Sequence, residues 1–215
     1  MSFWEYLQYS QDDLLRQAAE HLLVVVISLA IATVIGVSVG LLTWRSPRWS
    51  QAAVATAAAL LTIPSLALLA LLIPLFGLGW GTTIVALVIY SLLPIVRNTT
   101  SGLRSVSSAM LEAAEGMGLS RNRALWKVQL PIAWPVIVTG IRVSGQMLFA
   151  IATIAAYVAG PGLGNEIFAG LSRLGAANAT NEALAGTLGV VVLALLFDGA
   201  FVLVRRFTTS RGLRV

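Results

Sequence analysis

The chain has 215 residues, 58% of them hydrophobic and 11% charged, with a mean hydropathy of +0.87; a soluble domain carries about 25% charged residues. Charges this sparse cannot cover a water-facing surface, so the composition excludes a soluble domain and predicts a single all-α integral membrane domain over residues 1–215. With no cysteine and one histidine, His21, no metal centre or cofactor is expected, and because most of the basic residues lie between the hydrophobic blocks, no nucleic-acid partner is expected either.

The first apolar block, about 22–42, is interrupted only by Ser28, Thr33 and Ser38 and is long enough to cross a hydrocarbon core of about 30 Å at about 1.5 Å per residue. The residues before it are acidic, which argues against a cleaved signal peptide and predicts that the block stays as a helix. A second span covers about 52–74, with Pro64 near its middle predicting a bent, packed helix. The uncharged turn from Phe76 to Gly81 leads into a short third span, about 82–96, which carries Pro94. A fourth follows Pro131, about 132–158, and contains Arg142; a fifth, about 184–204, contains Asp198. The fold expected is therefore a five-helix transmembrane core.

Basic residues mark every second connection: Arg45 and Arg48 after the first span, Arg97, Arg104, Arg121, Arg123 and Lys127 after the third, and Arg205, Arg206, Arg211 and Arg214 in the tail. By the excess of Lys and Arg in inward-facing loops, the amino terminus is expected outside and the carboxyl terminus inside. Trp44 and Trp49 beside Arg45 and Arg48 read as interfacial anchors.

No enzyme chemistry is expected. Lys127, the lone lysine, follows Trp126, so no phosphate-cradling G-x-x-x-x-G-K-[ST] loop exists, and no H-E-x-x-H or G-x-S-x-G string occurs. The informative stretch is Arg97 to Pro131. Residues Met110 to Met117 read as a helix, Gly118 interrupts it, and Ser120 offers an N-cap for a second helix before Leu130-Pro131 opens the next span. The same residues fit the pattern E-A-A-x3-G-x9-I-x-L-P: Glu112, Ala113, Ala114, Gly118, Val128 in the Ile place, Leu130 and Pro131. This stretch resembles the cytoplasmic loop of the membrane subunit of an ATP-binding-cassette (ABC) importer of type I.

The resemblance implies a loop that docks on a separate ATPase subunit, with Glu112, Ala113, Ala114, Gly118, Leu130 and Pro131 as coupling residues. Small side chains at Ala113 and Ala114 would let a partner surface approach, Glu112 would pair with a cation, and Gly118 would permit the turn. Further strings, Thr62 to Leu69, Ile73 to Gly79, Leu93 to Thr99, Gly140-Ile141-Arg142 and Gly160 to Gly164, are similar to permeases of osmoprotectant importers, which carry glycine betaine, carnitine, choline or related quaternary amines. Pro161 departs from the small residue expected there. The resemblance implies a bacterial inner membrane, a second permease copy or homologous permease, two ATP-binding subunits and an extracytoplasmic substrate-binding protein. An amino-acid or methionine permease is the alternative within the class; a membrane scaffold or channel is the alternative outside it.

Within the membrane, Arg142 lies roughly 16 Å past Pro131 and Asp198 roughly 10 Å before Arg205 if both spans are helical, so the two are candidates for an ion pair. Tyr90, Phe149 and Tyr157 are candidates for a translocation path, because aromatic faces attract quaternary ammonium groups. The segment Gly164 to Asn181, with Phe168 and Leu171, is a candidate external helix and loop.

Overall fold

The computed structural model describes residues 1–208, and within them every regular element is helical. Arg211 and Arg214 of the basic tail lie outside the described residues. Helix α1 spans Phe3–Tyr9 and begins with a capping box, in which the Ser2 hydroxyl accepts from the Glu5 amide while the Glu5 carboxylate accepts from the Ser2 amide. Helix α2, Gln11–Thr43, is longer than the first apolar block because about three turns with Asp12, Asp13, Arg16 and Glu20 precede the apolar part.

The second block breaks rather than bends. Helix α3, Pro47–Thr62, and α4, Ser65–Phe76, meet at Ile63-Pro64 with a change of direction of 96°. Pro64 supplies no amide proton and forces the preceding residue into extended backbone, so the helix must stop there; Ile63 has ψ 127°. Its carbonyl is satisfied from another element, by the Tyr90 hydroxyl donating at 2.7 Å.

Helix α5, Trp80–Arg104, overruns the expected third span by two turns. The polar run Asn98 to Ser101 looks like a loop in sequence, but its side chains bond back to their own helix: Asn98 Nδ2 to the Pro94 carbonyl at 2.8 Å, Thr99 Oγ1 to Ile95 at 2.7 Å and Thr100 Oγ1 to Val96 at 3.0 Å. After the short α6, Ser108–Gly116, the chain turns into α7, Arg121–Ala124, which continues through one wide π turn at Leu125–Gln129 into α8, Leu130–Ile154. The fourth span therefore begins three turns before Pro131. The π turn sits where Pro131 cannot donate to the carbonyl four residues back, so the helix widens instead of ending. Helix α9, Gly164–Ser172, occupies the segment read as an external helix and loop, and α10, Ala179–Thr208, closes the bundle.

Helix α5 is central, packed between α2 and α8, with α3 along one side; α10 covers α8 and α9. The core joins Val24, Leu29 and Ala32 of α2 to Leu87 and Ile95 of α5, Ile137 and Phe149 of α8, and Phe197 of α10. Close approach of α2 to α5 depends on Gly36 and Gly40, whose missing side chains leave room for Ile95 and Thr99. Small residues four apart on one face are the usual means of bringing membrane helices together. Gly140 of α8 does the same against Pro94 and Asn98 of α5.

Candidate functional site

Helix α6 stands off one end of the bundle. The Ser107 side chain caps it by accepting from the Met110 amide, and it ends where the Gly118 amide donates to the Glu115 carbonyl at 2.9 Å and Leu119 to Ala114 at 3.1 Å. Gly118 has φ +81°, a left-handed conformation that suits glycine, and open space surrounds it. Ala114 is buried against its own chain, so it anchors the helix rather than facing a partner as its small size suggested. Glu112 and Ala113 are exposed, and Met110, Ala113 and Met117 share one outward stripe, with Met117 75% exposed. Leu130 and Pro131 lie in the continuous helix beyond the π turn, with Pro131 exposed. The two methionines, and Trp126 at 61% exposure, are functional candidates the motif did not mark; exposed apolar side chains at helical spacing were the signal available for the methionines.

The neck that holds α6 is polar and aromatic. Arg104 Nε donates to the Trp44 carbonyl at 2.8 Å, and the Arg45 guanidinium lies 5.3 Å from the Trp44 ring centre. A groove of about 580 Å³ opens beside it between α3 and α5, lined by Gln51, Val54, Ala58, Arg97 and Arg104.

Inside the membrane region the structure brings Arg142 and Asp198 together. Nε and Nη2 of Arg142 donate to Oδ1 and Oδ2 of Asp198 at 2.6 and 2.7 Å, a bidentate pair, and Gln146 Nε2 donates to Oδ1 at 2.5 Å. The pair is not sealed in the core: the side chains are 32% and 29% exposed.

The three aromatic candidates do not share a surface. Tyr90 is buried at the α3–α4 break. Phe149 is buried between the His21 ring, stacked at 5.8 Å, and the Phe197 ring, edge-on at 5.3 Å. The Phe149 carbonyl lies 3.1 Å from His21 Nε2, which makes that nitrogen the protonated one. Only Tyr157 of the three is exposed, with Phe168 edge-on at 4.3 Å.

At the end of the bundle opposite α6, Tyr6 of α1 donates to one oxygen of Glu166 and Gln17 of α2 to the other at 3.0 Å, which ties both helices to α9. Burial, reinforced by the Glu166 carboxylate, pushes the Tyr6 phenol up to about 12.

A helical bundle with four or five segments long and apolar enough to cross a membrane, and a short exposed helix standing off one end, is the architecture of a membrane transport subunit. Residues 32–210 match the family described as the binding-protein-dependent transport system inner membrane component, and the chain belongs to that family. It is 34% identical over 209 residues to the glycine betaine/carnitine/choline transport system permease protein OpuCB of Bacillus subtilis, covering 97% of this chain and 94% of that one. It is 36% identical over 200 residues to the osmoprotectant import permease protein OsmW of Salmonella typhimurium, covering 91% of each. Its fold is like that of a chain in inward-facing structures of the MetNI methionine ABC transporter, with a TM-score of 0.79 and 24% identity over 92% of this chain and 96% of that one. The chain is thus a multi-pass inner-membrane permease subunit that works with ATP-binding subunits and a substrate-binding protein, and it is not itself an enzyme.

Proposed function

We propose that this permease carries a quaternary-amine osmoprotectant, such as glycine betaine, carnitine or choline, into the cell. The observation that carries the reading is identity of 34–36% across nearly the whole chain to permeases named for these solutes or for osmoprotectant import. The working unit contains two permease copies, or this chain with a homologous one, two ATP-binding subunits and an extracytoplasmic binding protein. Five spans from one chain enclose no sealed path, which supports the pairing. The amino terminus lies outside and α6 inside; the basic residues Arg45, Arg104, Arg121 and Arg123 gathered near α6, against Asp13, Glu166 and Glu182 at the other end, support that orientation.

Coupling runs through α6. Closure of the ATP-binding pair presses on the face formed by Met110, Glu112, Ala113 and Met117, and the continuous helix from Arg121 through α8 transmits the displacement into the bundle. Two global states then differ in their contact with the motor, which is what allows ATP to bias them. An amino-acid or methionine permease is the second reading. Uptake of radiolabelled glycine betaine, carnitine, choline and methionine into cells expressing the complete system decides between them. Uptake of at least one of the first three, competed by the others, is expected; uptake of methionine alone overturns the osmoprotectant reading, and uptake of none in a correctly assembled system favours a scaffold or channel.

A further inference from the structure

We infer that the half-exposed cluster Arg142, Gln146 and Asp198 lines the aqueous translocation path and is the mid-membrane site where a zwitterionic solute places its carboxylate and its quaternary ammonium. The inference rests on the function proposed above for the identity of the solute, and on the geometry for the location of the path.

Arg142 is midway along α8, about 18 Å from either end at about 1.5 Å per residue. At that depth a charged side chain facing hydrocarbon is strongly disfavoured, so charges exposed on the surface of a single chain must face water or another protein surface. The exposure is not an isolated gap. Thr139, Arg142, Gln146 and Ala150 follow one another at helical spacing along the open side of α8, with Val143 the one exposed large apolar residue among them, and Tyr157 continues the line at the end away from α6. The contrasting exposed face of α10 points away from Asp198 and carries Val192, Leu196 and Leu203, the surface that lipid solvates.

A dry seam between two permease copies suits this cluster poorly. Arg142 Nη1 makes no hydrogen bond among the described residues, and a guanidinium donor left unmet in a water-free interface is costly. In a wet path the same free donor is an asset. A carboxylate can take Nη1 while Asp198, held in place by Arg142 and Gln146, faces the positive end of the solute. An opposed dipole of this kind suits a molecule carrying both charges, and the exposed Tyr157 ring beside Phe168 offers a quaternary ammonium a face on the way.

The chain contains no cysteine, so a single introduced thiol reports on its own surroundings. Gln146→Cys, Ala150→Cys and, as a lipid-facing control, Leu196→Cys are made in the complete transporter, and labelling of the permease band by a membrane-impermeant, quaternary-ammonium methanethiosulfonate is timed with and without saturating glycine betaine. Because the thiolate is the reacting species and forms in water, Ala150→Cys and Gln146→Cys are expected to label at least about tenfold faster than Leu196→Cys. Glycine betaine is expected to slow both several-fold. If Gln146→Cys disturbs assembly, Ala150→Cys one turn away carries the measurement. Labelling no faster than the control places the cluster in lipid or a dry seam and overturns the inference; fast labelling that no solute slows overturns the solute site. Uptake by the wild type is read separately: failure to carry any of the three amines defeats the proposed substrate class, whereas the labelling rates still report on the path.

Discussion

Single atoms decide how this bundle closes. Gly164 has no room for a side chain, because an added Cβ would press into the Thr153 backbone carbonyl, while Gly116 at the end of α6 has open space on that side. Gly164→Ala is expected to destabilise the purified protein by about 1–3 kcal/mol through overpacking, and Gly116→Ala to leave its thermal midpoint unchanged or slightly raised. Tyr90→Phe removes the donor that satisfies the Ile63 carbonyl at the α3–α4 break and is expected to cost about 1–3 kcal/mol, measured the same way. The Tyr6 phenol titrates near 12 rather than its ordinary 10.0, so the folded state favours the protonated form. The stabilisation this provides is complete below pH 10 and is lost as pH rises toward about 12. Alkaline unfolding should show this loss in the wild type and a flatter profile in Tyr6→Phe.

At the scale of elements, composition and hydrophobic blocks make the helical membrane class legible, and the Glu112 to Pro131 spacing marks the stretch that folds as α6 and the start of the next span. Element ends were less so, for identifiable reasons. The Asn98 to Ser101 run reads as loop because one cannot see from sequence that those side chains bond to their own helix. Pro131 reads as a helix start because proline usually is one, yet here a π turn absorbs it. The pairing of Arg142 with Asp198 needs two helices 56 positions apart to face each other, and only their similar depth was available in sequence. The same limit hid Gly36 and Gly40, whose partners lie on α5. Helix α6 also carries a prediction. Met110→Lys with Met117→Lys changes side chains with no role in the chain's own core, so permease abundance should hold while solute-stimulated ATP hydrolysis falls about tenfold or more, as loss of buried apolar anchors at an interface would cause. Hydrolysis at the wild-type rate would remove this face from the motor interface.

At the scale of the whole molecule, a continuous helix joins the neck below α6 to the middle of the bundle. Helix α5 packs on α2 and α8 along most of its length, and α7 with α8 forms one helical rod from the α6 neck to the Arg142 cluster. A push on α6 therefore has a continuous helix to act through. The proposed conversion of ATP hydrolysis into transport by α6 is tested by reconstituting the complete transporter and measuring glycine betaine uptake and ATP hydrolysis together. Glu112→Lys reverses the charge on the exposed face, and Gly118→Asp strains the left-handed turn that positions it. Both variants are expected to reach the membrane at wild-type levels, lose uptake by about tenfold or more, and lose the link between the two rates. Uptake at the wild-type rate in both variants would contradict the proposed conversion.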